Sequence, residues 1–385
     1  MRICQIITRL IVGGAQENTL LTCEGLQERG HDVLLLAGPE CGPEGSLWDR
    51  ARTGGYTAEK VDSLIRAVSP PVDWRCRRQL LDRITEFSPD LVHTHSSKAG
   101  ILGRWAASRA HVPVIAHTIH GLSFNRTQNW LWRRVFHAAE VVCSRRTNCI
   151  ITVADAMTEQ AVAARLASRD KFVTVYSGVQ TPLFDPRRYS PQIARQRWGF
   201  HDDAVVAGTV ARLQANKGFE QLIPIAGDLI RRNPNMRFVW VGDGPRRNKY
   251  EKMLDRAGLR QHIHLTGLIP PEDIPANLAG MDLLVHLSRW EGLPRAMVQA
   301  SLMGLPVVGY DIDGAREAVE DGQTGLLAPL DDKATIKRHI AELAHHPNMR
   351  HAYGQAGREK CLVRFDHRVM IDRLDELFRT LVAKA

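Results

Sequence analysis

A chain of 385 residues with a 44% apolar share is long enough for two domains of ordinary size, and its composition is far from that of a disordered chain. No stretch approaches the roughly 18 apolar residues of a transmembrane helix. Thr8 and Arg9 interrupt the opening MRICQIITRL too early for a signal peptide, and seven scattered cysteines without a C-x-x-C pair point to reduced thiols in a cytoplasmic protein.

The net charge of +9 asks for an anionic partner, but no zinc-finger spacing, basic zipper or RNP-like motif singles out nucleic acid. A generally solvated basic surface is the favoured reading, and an enzyme beside a membrane comes second.

In chain order, strand and helix patterns alternate, which predicts parallel sheets with helices on both faces. RICQIIT is a first strand, RLIVGGAQ a glycine turn, ENTLLTCEGLQERG a helix and HDVLLLAG a second strand. Further strands are expected in segments 90–95, 113–120, 148–154 and 171–178, with helices such as KAGILGRWAASRA between them. After a proline-rich linker near 182–191 the cycle restarts. Strands are expected at 204–210, 237–245, 263–269, 282–288 and 305–311, with KGFEQLIPIAGDLIRR as a helix. Met370, Leu374, Leu377, Phe378 and Leu381 recur at helical spacing in a last segment, expected to pack back on the first domain. The expected domains are residues 1–185, 186–365 and the returning helix 366–385. Two Rossmann-like sheets would then turn their strand-end rims to a central cleft.

Candidate site residues gather at strand ends, where open α/β sheets bind ligands. Gly13 and Gly14 open a helix after the first strand, so their backbone could approach a phosphate; a tight turn explains them as well. In TVARLQANKGFE, Arg212 and Lys217 enter a helix at Gly218, and two cations there suit a diphosphate. Two solvated loop cations are the equal alternative. Glu291 follows the strand DLLVHLS, with Gly292, Leu293 and Pro294 leading into the next helix.

His93, His95, His117 and His120 cluster at neighbouring strand ends. No cysteine or carboxylate joins them at ligand spacing, so packing is favoured over a metal, and His120 is best placed to reach a ligand. Asp311 and Asp313 form a lone D-x-D that a strand-end turn explains. The run 129–146 carries Trp130, Trp132, Arg133, Arg134, Arg145 and Arg146. A buried helix with flanking arginines is favoured there over a helix lying on an anionic membrane.

Taken together, VGGAQ, PDLVHTHSSKAGILGR, HTIHGLSF, ITVADAM and YSGV, followed by ARLQANKG, VGDGP, LTGLIP, EGLPRAMVQASLMGLPVV and DGQTGLLAP, resemble the retaining glycosyltransferases of the GT-B fold, family 4, over nearly the whole chain. The resemblance implies that Arg212 and Lys217 grip a donor diphosphate and that Glu291 contacts the transferred sugar. It also implies that His120 lies near that sugar, and that Gly13, Gly14, Gly242, Gly292 and Leu293 approach the donor. Leu268 and Ile269 would hold the nucleobase.

One position departs: Gln299 stands where the second glutamate of E-x7-E usually binds the ribose hydroxyls. A neutral amide loses the charge-assisted reach of a carboxylate, which weakens nucleotide binding by about 1–2 kcal/mol. The implied reaction moves a sugar from a nucleoside-diphosphate sugar, UDP expected, to a glycan or lipid-linked acceptor, with retention and without metal or other cofactor. It would take place in the cytoplasm or at the cytoplasmic face of a membrane. A nucleotide-sugar epimerase of the same fold and a non-catalytic homologue with a decayed donor site stay open as alternatives.

Overall fold

The computed structural model describes residues 1–39, 45–122, 124 and 129–385. They form two compact units: residues 1–178 together with 367–385, and residues 179–366. The division falls earlier than the expected 185/186 boundary because residues 179–184 are tied to the end of the second unit. The Val179 N–H donates to the Phe365 carbonyl at 2.8 Å, and the Thr181 hydroxyl donates to Asp366.

The first unit holds β1 (Arg2–Ile7), β2 (Asp32–Ala37), β3 (Thr57–Lys60), β4 (Leu91–His95), β5 (Val114–Ile119), β6 (Cys149–Thr152) and β7 (Phe172–Thr174). They form one parallel sheet in the order β3-β2-β1-β4-β5-β6-β7. β1, β2, β4, β5 and β6 are almost wholly buried because helices cover both faces, and β4 and β5 carry buried histidines and threonines among their apolar residues. Ile3, Leu20, Val33 and Ile151 belong to one core, and Ile6, Leu80, Val92 and Ala106 to the other. The last helix, His367–Ala383, completes the first of these cores with Met370, Ile371, Leu374 and Phe378. It fits tightly against helix Gly14–Glu28: a Cβ on Gly25 would come within 2.3 Å of Ile371 Cδ1. Leu377 and Leu381, also expected on this face, are only partly buried.

The second unit holds β8 (Val205–Val210), β9 (Met236–Val241), β10 (Ile263–Gly267), β11 (Leu283–His286), β12 (Val307–Tyr310) and β13 (Gly325–Ala328), in the parallel order β10-β9-β8-β11-β12-β13. Its core is built around Phe219, Trp240 and Tyr250, with Phe219 and Trp240 ring centroids 4.7 Å apart. β3 and β13 are additions to the expected elements. TAEK has no apolar alternation and is only half covered at the sheet edge, while β13 is a four-residue run inside DGQTGLLAP.

Helix Trp130–Ser144 departs from the buried helix favoured by its sequence. Trp130, Leu131, Trp132, Val135 and Val142 are between 46% and 64% exposed, and Glu140, Cys143 and Ser144 are the buried residues.

Candidate active site

In each sheet the strand order reverses once, between β1 and β4 in the first and between β8 and β11 in the second. A reversal sends the flanking connections to opposite faces and leaves room at the carboxyl ends of the strands. Gly13 and Gly14 follow β1, Arg212 and Lys217 follow β8 and Glu291 follows β11, so these sit at the two reversals, whereas His120 follows β5, Gly242 follows β9 and Leu268 and Ile269 follow β10.

At the β8/β11 reversal, the loop after β8 carries Arg212 and Lys217 into helix Phe219–Arg232. Gly218 makes the turn with φ +78°, and a Cβ there would lie 2.3 Å from the Leu287 carbonyl oxygen, so only glycine fits between the two loops. The Arg289 N–H donates to the Asn216 carbonyl at 2.9 Å and joins the loop after β8 to the loop after β11. This places Lys217 Nζ 2.5 Å from Glu291 Oε1. His286, at the end of β11, reaches the same oxygen at 3.2 Å.

Burial of Glu291 pushes its carboxyl toward the neutral form. The Lys217 charge and the His286 ring outweigh it, and the group is held well below the usual carboxylate range. Glu291 is therefore a fixed anion, able to accept hydrogen bonds from hydroxyls with the added strength of its charge.

The backbone of Glu291 is also anchored. Its N–H donates to Asp313 Oδ2 at 2.7 Å, and the Gly314 N–H donates to the Gly292 carbonyl at 3.2 Å. Asp313 takes a left-handed conformation with φ 45°, which Asp tolerates better than most residues. Its partner in the D-x-D, Asp311, forms an ion pair with Arg316. The motif thus gives the site a positioning residue, and neither His286 nor Asp313 was among the expected site residues. The signals were present: a histidine inside an apolar strand, and an Asp-Gly pair at a strand end.

Gly242 has a bridging role. With φ 133° it pairs with Gly267, and a Cβ would lie 2.4 Å from the Ala211 carbonyl oxygen. Leu268 follows β10 at 49% exposure, Ile269 is half-buried, Gly292 and Leu293 are buried, and Gln299 is half-buried in helix Arg295–Leu302.

In the first unit, Gly13 precedes helix Gly14–Glu28, which starts three residues earlier than expected. At the neighbouring strand ends, Thr8 Oγ1 and Ser96 Oγ lie 2.6 Å apart, and the Ala99 N–H donates to Thr8 Oγ1 at 3.1 Å. His120 Nε2 lies 3.0 Å from His95 Nδ1, with the rings stacked. His95 Nε2 contacts Gln5 Oε1 at 2.8 Å, His93 Nε2 contacts the Thr118 hydroxyl at 2.7 Å and His117 Nδ1 contacts the Thr94 hydroxyl at 2.8 Å. Burial pushes His93 down to about 3 and His95 and His117 well below the usual imidazole value. Three of the four histidines are thus neutral members of a packed network. Among the described residues no group of histidine, cysteine and carboxylate side chains is arranged to hold a metal ion.

The profile of the glycosyl transferases group 1 family matches residues 191–360, and that of glycosyltransferase family 4 matches residues 12–182. EpsD of Bacillus subtilis, described as a putative glycosyltransferase, is 30% identical over 336 residues, covering 84% of this chain and 85% of its own. The UDP-Gal:alpha-D-GlcNAc-diphosphoundecaprenol alpha-1,3-galactosyltransferase of Escherichia coli is 30% identical over 336 residues, covering 86% and 85%. The crystal structure of Anabaena HepE in complex with UDP and glucose superimposes with a TM-score of 0.85 at 20% identity, covering 99% of this chain and 100% of that one. The fold of two Rossmann-like units is therefore shared with GT-B proteins.

Proposed function

The chain belongs to the group 1, family 4 glycosyltransferases, and on that premise we propose that it moves a sugar from a nucleoside-diphosphate sugar, UDP the expected nucleotide, to a glycan or lipid-linked acceptor, with retention of configuration and without a metal. The observation that carries the reading is the contact between Lys217 and the ionised Glu291 at the β8/β11 reversal, with Arg212 on the same loop.

A lysine ammonium has three donors, so one bond to Glu291 leaves capacity for phosphate oxygens. Charge that develops on a leaving diphosphate is met by Lys217, Arg212 and the N–H groups of helix Phe219–Arg232. These two cations supply the positive charge that a divalent ion would otherwise bring. Glu291 accepts hydroxyls of the transferred sugar and holds the anomeric carbon in place. In this reading Leu268 and Ile269 hold the base and Gln299 meets the ribose hydroxyls.

The UDP-galactose named for the Escherichia coli relative supports a UDP donor, and its diphosphoundecaprenol substrate supports a lipid-linked acceptor. With the net charge of +9, the latter also supports work at the cytoplasmic face of an anionic membrane.

A transfer assay with UDP-, GDP- and ADP-sugars and acceptor lipids, run in chelator, tests this. The product's anomeric configuration is read by NMR. Retained configuration from one donor without metal is expected; an inverted product or a strict metal requirement would overturn that part of the reading. Gln299 favours a second reading, a homologue whose donor site has decayed, and folded protein that binds no nucleoside diphosphate would support it.

A further inference from the structure

Helices Pro70–Phe87, Ser97–Arg109 and Trp130–Ser144 of the first unit enclose a crevice of about 360 Å³ away from the site above. Arg77, Arg104, Trp105, Ala138, Val142 and Arg146 are among its lining residues. Arg104 is fully buried: its Nε donates to the Gly100 carbonyl at 2.7 Å and its Nη2 to Glu140 Oε2 at 2.6 Å. Its Nη1 has no hydrogen-bond partner among the described residues, and neither has the buried Nε of Arg77, whose guanidinium stacks 3.6 Å from the Trp105 ring centre. Unmet buried donors of two guanidinium groups are costly unless something accepts from them. Glu140 is already paired with Arg104, so Arg77 and Arg146 leave the crevice cationic.

A second observation says what approaches. Leu131, Val135, Ala138 and Val142 recur at helical spacing, so one outward stripe of helix Trp130–Ser144 leads into the crevice, where Arg146 follows just past the helix end. Leu131, Val135 and Val142 on that stripe are 46–54% exposed, and Trp130 beside them is 64% exposed. On helix Pro70–Phe87, which also lines the crevice through Arg77, Trp74 is 59% exposed, with the Arg78 guanidinium 4.9 Å from its ring. Exposed tryptophans and aliphatic residues interleaved with arginine match the boundary between headgroups and acyl chains of an anionic bilayer.

We propose that the crevice is a headgroup site: it receives the phosphate of an anionic membrane phospholipid while the stripe beside it enters the headgroup–acyl boundary. The inference rests on the membrane setting proposed above but is independent of donor chemistry, and it gives that setting a defined contact.

The test is cosedimentation of the full chain, without donor, with vesicles of phosphatidylcholine alone or mixed with phosphatidylglycerol. Binding to the mixed vesicles only is expected. Arg77→Gln/Arg146→Gln, which spares the buried Arg104, should partition on the order of tenfold or more weakly. Leu131→Ser/Val135→Ser should also lose binding, whereas Lys252→Gln/Arg256→Gln in the second unit removes equal charge and should bind as the parent does. A parent that ignores anionic vesicles would refute the membrane setting itself. A binding parent whose crevice variant sediments equally well, or loses no more than the second-unit variant, would overturn the headgroup site alone. Concentration-dependent dimerisation that is abolished by Leu131→Ser/Val135→Ser would assign the stripe to a second copy and overturn it too.

Discussion

The two sheets share one strand order, the second matching the first without its last strand, yet they place unlike chemistry at the same topological point. The β1/β4 reversal carries hydroxyls, a glycine turn and the buried neutral His95, against which His120, after β5, is stacked. The β8/β11 reversal carries a lysine held against an ionised carboxylate, with an arginine close by in sequence. The topology supplies a place where strand ends and helix N-termini leave room, and the side chains decide what is stabilised there. Fixed charges suit a reaction in which a diphosphate departs, while neutral hydrogen-bonding groups suit recognition of an uncharged sugar or acceptor.

The contrast between the two units disappears if the charges of the second unit can be removed without consequence. Lys217→Ala or Arg212→Ala should lower turnover on the order of 10²–10³-fold, as loss of one preorganised donor does, with circular dichroism unchanged. Parent-like rates in either variant would remove the assigned roles.

The first unit's neutrality has its own signature. A histidine whose folded pKa is depressed contributes stability that is present above its unfolded value and erodes as pH falls below it. Between the ordinary 6.5 and about 3 for His93, the unfolded chain binds the proton and the folded chain does not. Each such group adds up to about 1.4 kcal/mol per pH unit to the slope of stability against pH. Denaturant titrations at falling pH should show this acid loss, and His93→Gln should flatten the slope by one group's share. An unchanged slope would mean that His93 is charged in the folded protein. Glu291 works in the same direction but further into acid: its stabilising charge is present above the ordinary carboxylate value and is lost only as pH falls through its depressed pKa.

Gln299→Glu adds an anion to the second unit. It should tighten nucleoside-diphosphate binding by about 1–2 kcal/mol, measured by calorimetry, if the side chain meets ribose hydroxyls. The smallest effect is expected at Asp313. Asp313→Ala, which frees the Glu291 N–H, should cost about 1 kcal/mol in kcat/KM, and Asp313→Asn, which keeps an acceptor and tolerates the left-handed backbone, should restore most of it. Equal rates in the two Asp313 variants would deny the anchoring role.

Most strands were legible in the sequence because each is an apolar run long enough to be buried on both faces, and the last helix because Met370, Leu374 and Phe378 recur at helical spacing. β3 was not legible, since TAEK lies at an edge where little burial is demanded of it. The site was legible as separate strand-end residues. Lys217 and Glu291 stand 74 positions apart, and only the parallel pairing of β8 with β11 makes them partners. His286 and Asp313 escaped because each looks ordinary alone, a histidine in a strand and an aspartate in a turn; their meaning lies in which atom of Glu291 they reach. The tryptophan-rich helix was misjudged for the opposite reason. Composition says that Trp and Val prefer burial, and it cannot say that helix Trp130–Ser144 buries its Glu140 side instead.

The most direct measurement is calorimetric titration of UDP, in the presence of chelator, into the parent protein and into Lys217→Ala. Metal-free binding to the parent and at least tenfold weaker binding to Lys217→Ala are expected, since a charge-assisted phosphate contact is lost. If folded parent binds no UDP, or if Lys217→Ala binds it as tightly as the parent, the diphosphate is not held at the β8/β11 reversal.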